Sequence, residues 1–247
     1  MRKFMIQCKA ELKRTIRNRR FLISSVLLPL AFYLFFTSTF GDQQVGGTTF
    51  SAYYMISMAV FGVMGGAVQT LSVRYAQERA QGWMKTLRIT PVSHTQYILA
   101  KMFAQMVLSA IIIAVIFLAG LLVKHVDLSI QVWIESALWI WVGSLPFMAL
   151  GILLGLVSGK ASVQVISSGV YLILAMVGGL WMPIESFSKS MRSVSEWTPT
   201  YRFAHVVWNM IEGKSVHVQD IIVLLVYLAL FIIVSTMISK RQEAVNA

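Results

Sequence analysis

No charged side chain occurs between Asp42 and Arg74. The 31 residues from Gln43 to Val73 exceed the roughly 20 apolar residues that cross a bilayer core. Charge-free stretches recur along the chain, with limits Phe21–Phe40, Phe50–Val73, Met102–Val123, Ser136–Gly159, Ala161–Ile184 and Ile221–Ser239. At ~1.5 Å rise per residue each is roughly 28–36 Å long as a helix, enough to span with some tilt. The alternation of an outer-membrane barrel strand is absent. Composition agrees: 57% hydrophobic and 13% charged residues, with a mean hydropathy of +0.72, against about 25% charged in soluble domains. The expected fold is an all-α polytopic membrane protein with six transmembrane helices.

Charge placement orients it. With the N-terminus inside, the inner segments hold sixteen Lys and Arg residues and the outer segments five. Three acidic residues (Glu11, Glu78, Glu243) lie inside and seven outside. Basic residues are retained in the cytoplasm, so both termini are expected there. The net charge of +11 therefore reports topology rather than nucleic-acid binding.

Residues 2–20 carry eight basic side chains opposed only by Glu11. Met5, Cys8, Leu12 and Ile16 recur at helical spacing, which predicts an amphipathic helix in the cytoplasmic interface against anionic headgroups. Cys8 is the single cysteine, so no intrachain disulfide is possible. The basic run before Phe21 resembles a signal peptide, but the apolar stretch is long and no A-x-A site follows, so it reads as a retained first span.

Two regions are neither plain span nor plain loop. Arg74–Lys101 is a basic island between apolar stretches. Ala76, Ala80, Trp83 or Met84, and Leu87 share one helical face, Thr90-Pro91 stops the helix, and Ser93 is placed to cap the next. A short helix lying across the cytoplasmic mouth is expected. The second region is 181–212. Pro183 is expected to end the fifth span. Trp181, Trp197, Tyr201 and Trp208 suit an outer interface, with one or two short helices that dip into the outer leaflet or cap a dimer.

Catalytic and cofactor signatures are missing. There is neither G-x-x-x-x-G-K-[ST] nor G-x-G-x-x-G, and Gly62, Gly65 and Gly66 lie in an apolar span where small residues serve packing. His94, His125, His205 and His217 lack metal-ligand spacing, so no metal or cofactor is expected. His205 with Glu196 or Glu212 is the nearest polar pairing at the outer surface. The spans themselves carry no Asp, Glu, Lys or Arg, which disfavours a gradient-driven carrier. Met55, Met58, Phe61 and Gly62 on span two suit a path for a lipophilic substrate, and equally suit ordinary packing. A membrane-embedded enzyme would need a convergent polar set at one depth.

The run Glu78-Arg79-Ala80-Gln81-Gly82-Trp83-Met84-Lys85-Thr86-Leu87-Arg88-Ile89-Thr90-Pro91-Val92-Ser93 resembles the ER-x-x-G-x-x-x-x-L-x-x-x-P-x-S pattern of ABC-2 type transporter permeases. Gly178-Gly179-Leu180-Trp181-Met182-Pro183-Ile184-Glu185 and Trp197-Thr198-Pro199-Thr200-Tyr201 resemble that family's stretch before the last span. The resemblance covers essentially the whole chain.

It implies a type V exporter subunit that pairs with a second permease chain, identical or paralogous. Each would sit on a separate cytoplasmic ABC ATPase that binds ATP and Mg. This chain would then be no enzyme, and would reside in a bacterial or archaeal cytoplasmic membrane. The implied layout is one permease domain over 1–247. It comprises an amphipathic helix (1–20), spans one and two (21–73), a coupling helix (74–93), spans three to five (97–184), an outer re-entrant or interfacial region (185–212) and span six (219–239). Glu78, Arg79, Gly82, Trp83, Leu87, Thr90 and Pro91 would form the ATPase contact. Pro183, Trp197, Pro199 and Tyr201 would form the outer gate. Drug, antibiotic, lipid-like and sodium exporters all fit the resemblance.

Overall fold

The computed structural model describes residues 2–17, 19–41, 43–83 and 93–245. Helix α1 (Arg2–Arg17) leads into α2 (Arg19–Phe40). A two-residue hairpin, β1 (Gln44–Val45) and β2 (Thr48–Thr49), pairs antiparallel with Gln44 opposite Thr49. The Thr49 side chain then accepts from the Ala52 N–H and starts α3 (Phe50–Gly65).

α3 is the axis of the molecule. Every residue from Phe50 to Met64 is buried, because α2, α5 (His94–Leu122), α8 (Val163–Val177) and α10 (Pro199–Ile211) surround it. It continues through a π-helical turn, Gly66–Thr70, into α4 (Leu71–Ala80). The turn widens the helix by one residue, so Leu71 N–H bonds the carbonyl of Gly66. Here α7 (Leu145–Val157) packs backbone to backbone. A Cβ on Gly151 would lie 2.1 Å from the Ala67 carbonyl oxygen, and one on Gly155 would lie 2.6 Å from that of Ser72. Gly151 and Gly155 form a small-xxx-small pair, which allows such an approach between membrane helices.

Four helices among the described residues are long and apolar enough to cross a membrane: Phe50–Ala80, His94–Leu122, Ile130–Val157 and Val218–Gln242. The other two expected spans correspond to shorter apolar helices, Ser25–Phe40 and Val163–Val177. Three boundaries differ from the sequence reading. The fourth span begins at Ile130 as α6 (Ile130–Val142), because Ser129 caps it there, and it is broken at Gly143-Ser144 before α7. α8 ends at Val177, not at Pro183, because Gly179 takes a left-handed φ of 78° that stops the helix earlier. The third difference concerns Arg74–Ala80. This stretch does not lie across the mouth; it prolongs the span, since no breaker precedes Gly82. Ser93 does cap α5, in a reciprocal box with Gln96, as its placement suggested.

The region expected to face outward forms α9 (Lys189–Ser195) and α10 before α11 (Val218–Val245). α10 is not an interfacial helix at the chain's surface. Phe203, Ala204, Val206 and Val207 are fully buried, and Trp208 stacks on Tyr53 at 4.8 Å while donating to Ser57 Oγ. Of the four expected interface aromatics only Trp197 is exposed. Burial pushes the Tyr201 hydroxyl up to about 12, so it stays neutral.

Candidate functional site

Three helices meet at one end of the molecule: α1, the last turns of α4 and the first turns of α5. On α1, Cys8, Glu11 and Thr15 fall at helical spacing and face inward. Of the expected apolar face, Cys8 is buried, Leu12 is half-buried and Met5 points outward at 67% exposure. The Ile16 side chain lies outside the described ones. Burial raises the Cys8 thiol pKa, which suits an inert packing residue.

Glu11, the lone acid of that basic segment, is 2% exposed. Its carboxylate accepts from Arg74 at 2.8 Å and from Lys101 at 3.3 Å. Arg74 also donates to Thr15. Glu78 sits one helical turn beyond Arg74. Its carboxylate takes the Lys101 ammonium at 2.6 Å, the Arg14 guanidinium at 3.0 Å and the Tyr97 hydroxyl. Lys101 stands one turn after Tyr97 on α5 and lies over its ring at 4.8 Å. Two carboxylates thus face three cations in a site that is mostly closed to water. Charges buried this way are tolerable only because each finds a partner.

Arg79 points to the other side of α4. It donates to the carbonyls of Gly155 and Leu156 and, at 3.3 Å, to Gln242. Those carbonyls end α7, where helical acceptors lack intrahelical partners and a cation is favoured. Arg79 therefore ties α4 to the ends of α7 and α11.

The residues expected to contact an ATPase divide accordingly. Glu78 and Arg79 are engaged inside the chain. Gly82 has φ 77° and open space around it, ending α4 as a left-handed cap. Trp83 is half-buried beneath Arg14, whose guanidinium carbon is 5.2 Å from its ring centroid. Gln77 and Gln81 are exposed. Leu87, Thr90 and Pro91 lie outside the described residues. The expected substrate-path residues Met55, Met58 and Phe61 have no exposed surface, and Gly62 is pressed against Ile112 and Pro29. Within one chain they are packed core.

Of the expected outer-gate residues, Pro183 precedes a short 3-10 turn, Ile184–Ser186, and Pro199 opens α10. His205 pairs with neither Glu196 nor Glu212 but with Asp220, Nδ1 to Oδ2 at 2.7 Å. Asp220, fully buried in the first turn of α11, also holds Arg202 at 2.7 Å and so locks α10 to α11. Asp220→Asn keeps the shape but strips Arg202 of its counter-charge. Thermal unfolding in detergent should show a loss of about 3 kcal/mol. An unchanged midpoint would mean that the Glu196 carbonyl and water satisfy Arg202.

The burial of Lys101 is not visible in the sequence, where it stands at the edge of a polar stretch. The usable signals were the isolation of Glu11 among bases and the four-residue step from Tyr97 to Lys101.

A family model described as "ABC-2 family transporter protein" matches residues 42–239. The chain is also 40% identical over 239 residues, 97% of its length and 98% of the relative's, to "Putative transport permease YvfS" of Bacillus subtilis (strain 168).

Proposed function

The chain belongs to the ABC-2 family of transporter proteins, and on that premise we propose that it is the permease subunit of an ATP-driven exporter powered by a separate ATPase chain. The partner engages the segment that follows α4, from Gln81 toward Ser93. Two such chains, identical or paralogous, form the path in a bacterial or archaeal cytoplasmic membrane. The cargo is a lipophilic drug, antibiotic or lipid-like molecule.

The observation that carries this reading is the convergence on one helical turn. Glu78 and Arg79, immediately before Gly82, bond to side chains or backbone of α1, α5, α7 and α11. Force applied to the following segment acts on all of them at once, and a coupling element needs such discrete contacts that can break and re-form. In this reading Glu78 transmits force and does not dock the partner.

The test uses the permease with its ATPase in vesicles. Glu78→Gln should keep co-purification with the ATPase while ATP-driven efflux falls at least about tenfold, a change equivalent to ~1.4 kcal/mol. Loss of co-purification in folded protein would return Glu78 to the partner-binding surface. Efflux by the permease alone, without ATPase or ATP, would defeat the exporter reading.

A further inference from the structure

A cavity of about 390 Å³ opens between α4, α5, α7 and α11, away from the buried charge network and the packed face of α3. Its volume falls in the range of small-ligand sites. Its chemistry is graded along the helices. α5 enters the membrane from the cytoplasmic side at His94, while α7 and α11 end on that side at Val157 and Val245. The cytoplasmic lip therefore carries His94, Thr95, Ser239 and Lys240, and the depth carries Ile98, Met102, Ile152 and Ile232. Eight residues separate His94 from Met102 and Ile232 from Lys240, roughly 12 Å of helix in each case. α5 and α11 give the same polarity, cationic or hydroxylated at the interface and apolar below, while α7 adds an apolar wall of Ala149, Ile152 and Leu156.

Two further observations point to an occupant. Lys240 makes no ion pair among the described residues. Ser235 lines the cavity one turn deeper, and its buried Oγ has no hydrogen-bond partner among them. Its neighbour Thr236 bonds back to the Ile232 carbonyl, the usual outlet for a hydroxyl in a helix. A buried hydroxyl without a partner is costly and calls for an acceptor. Ser235 lies five residues from Lys240, roughly 7–8 Å along the axis.

We propose that this cavity holds one anionic phospholipid of the cytoplasmic leaflet as a resident ligand, with its phosphate at Lys240, an ester carbonyl at Ser235 and an acyl chain along Ile98, Met102 and Ile232. The order phosphate, ester, hydrocarbon is that of the lipid itself. The headgroup is anionic because the lip offers a cation and no carboxylate. The proposal needs only the membrane embedding of the chain.

The full-length protein, purified in detergent and titrated with phosphatidylglycerol, should retain one lipid per chain by native mass spectrometry. Phosphatidylcholine should be retained at least about fivefold less, the scale of one surface Lys–lipid contact. Lys240→Glu should abolish that preference. Ile232→Trp, at a position already half exposed, should fill the cavity and lower retention of both lipids. Equal retention of the two lipids by the unmodified chain would overturn the proposal, as would retention unchanged in both variants. Displacement by millimolar inorganic phosphate would assign the lip to a free anion and overturn it as well.

Discussion

Lys101→Met lowers the stability of the purified permease by about 3–5 kcal/mol, the expected result when one member of a buried ionic set is removed. The side chain of Lys101 is fully buried between Glu11 and Glu78. Methionine fills much the same volume, so the loss is electrostatic. Glu78 keeps Arg14, which is half exposed, and Glu11 keeps Arg74. Neither replaces an ammonium 2.6 Å away in a dry site. The effect should be non-additive. Glu78→Gln alone leaves Lys101 short of charge, while the double variant Glu78→Gln/Lys101→Met removes both members of the pair. A double-mutant cycle read by thermal unfolding should recover at least ~1 kcal/mol of coupling. Strict additivity would mean that the two side chains do not sense one another, and the network described above would lose its central link.

Gly151→Leu should yield no monodisperse protein. The neighbour that its Cβ meets at 2.1 Å is the Ala67 carbonyl oxygen, which belongs to the backbone of the π turn and cannot swing aside. Even Gly151→Ala should cost ~3 kcal/mol, the upper part of the range for overpacking. Gly169→Ala is the matched control. It lies within α8 with nothing within 4 Å of the added carbon, so the gain in helix propensity should leave stability unchanged or raise it. Size-exclusion profiles of fluorescently tagged variants separate the outcomes. Normal folding of Gly151→Leu would mean that α7 can stand off from the π turn.

What could be read from the sequence was what depends on local periodicity and on solvent. Apolar runs predict membrane helices because hydrocarbon tolerates little else, and Ser93 predicts a helix start because its hydroxyl serves a local N–H. The all-α membrane class follows from such signals, while the family resemblance rests on the motif residues from Glu78 to Ser93. Interior facing is another matter. Eight bases and one acid in residues 2–20 describe a surface helix until the partners of Glu11 are known, and those partners lie 63 and 90 residues away. Glu78 and Arg79 look like a charged surface pair by composition, but they diverge around α4 to different helices. The burial of α10 was hidden for a similar reason. A short helix rich in Trp and Tyr has the composition of an interface anchor, and only its contacts with α3, α6 and α11 show that it belongs to the core.

The span of the Glu11 contacts has a consequence for how the protein is made. Translation delivers α1 first, with its acid facing no counter-ion. Arg74 emerges only after two apolar segments, and Lys101 at the head of a third. At ~5–20 residues per second, roughly 5–18 seconds separate Glu11 from Lys101 on the ribosome. During that interval the final seat of the helix does not yet exist. The ionic contact can form only when the start of α5 has arrived, so it closes the assembly of the amino-terminal half and does not begin it.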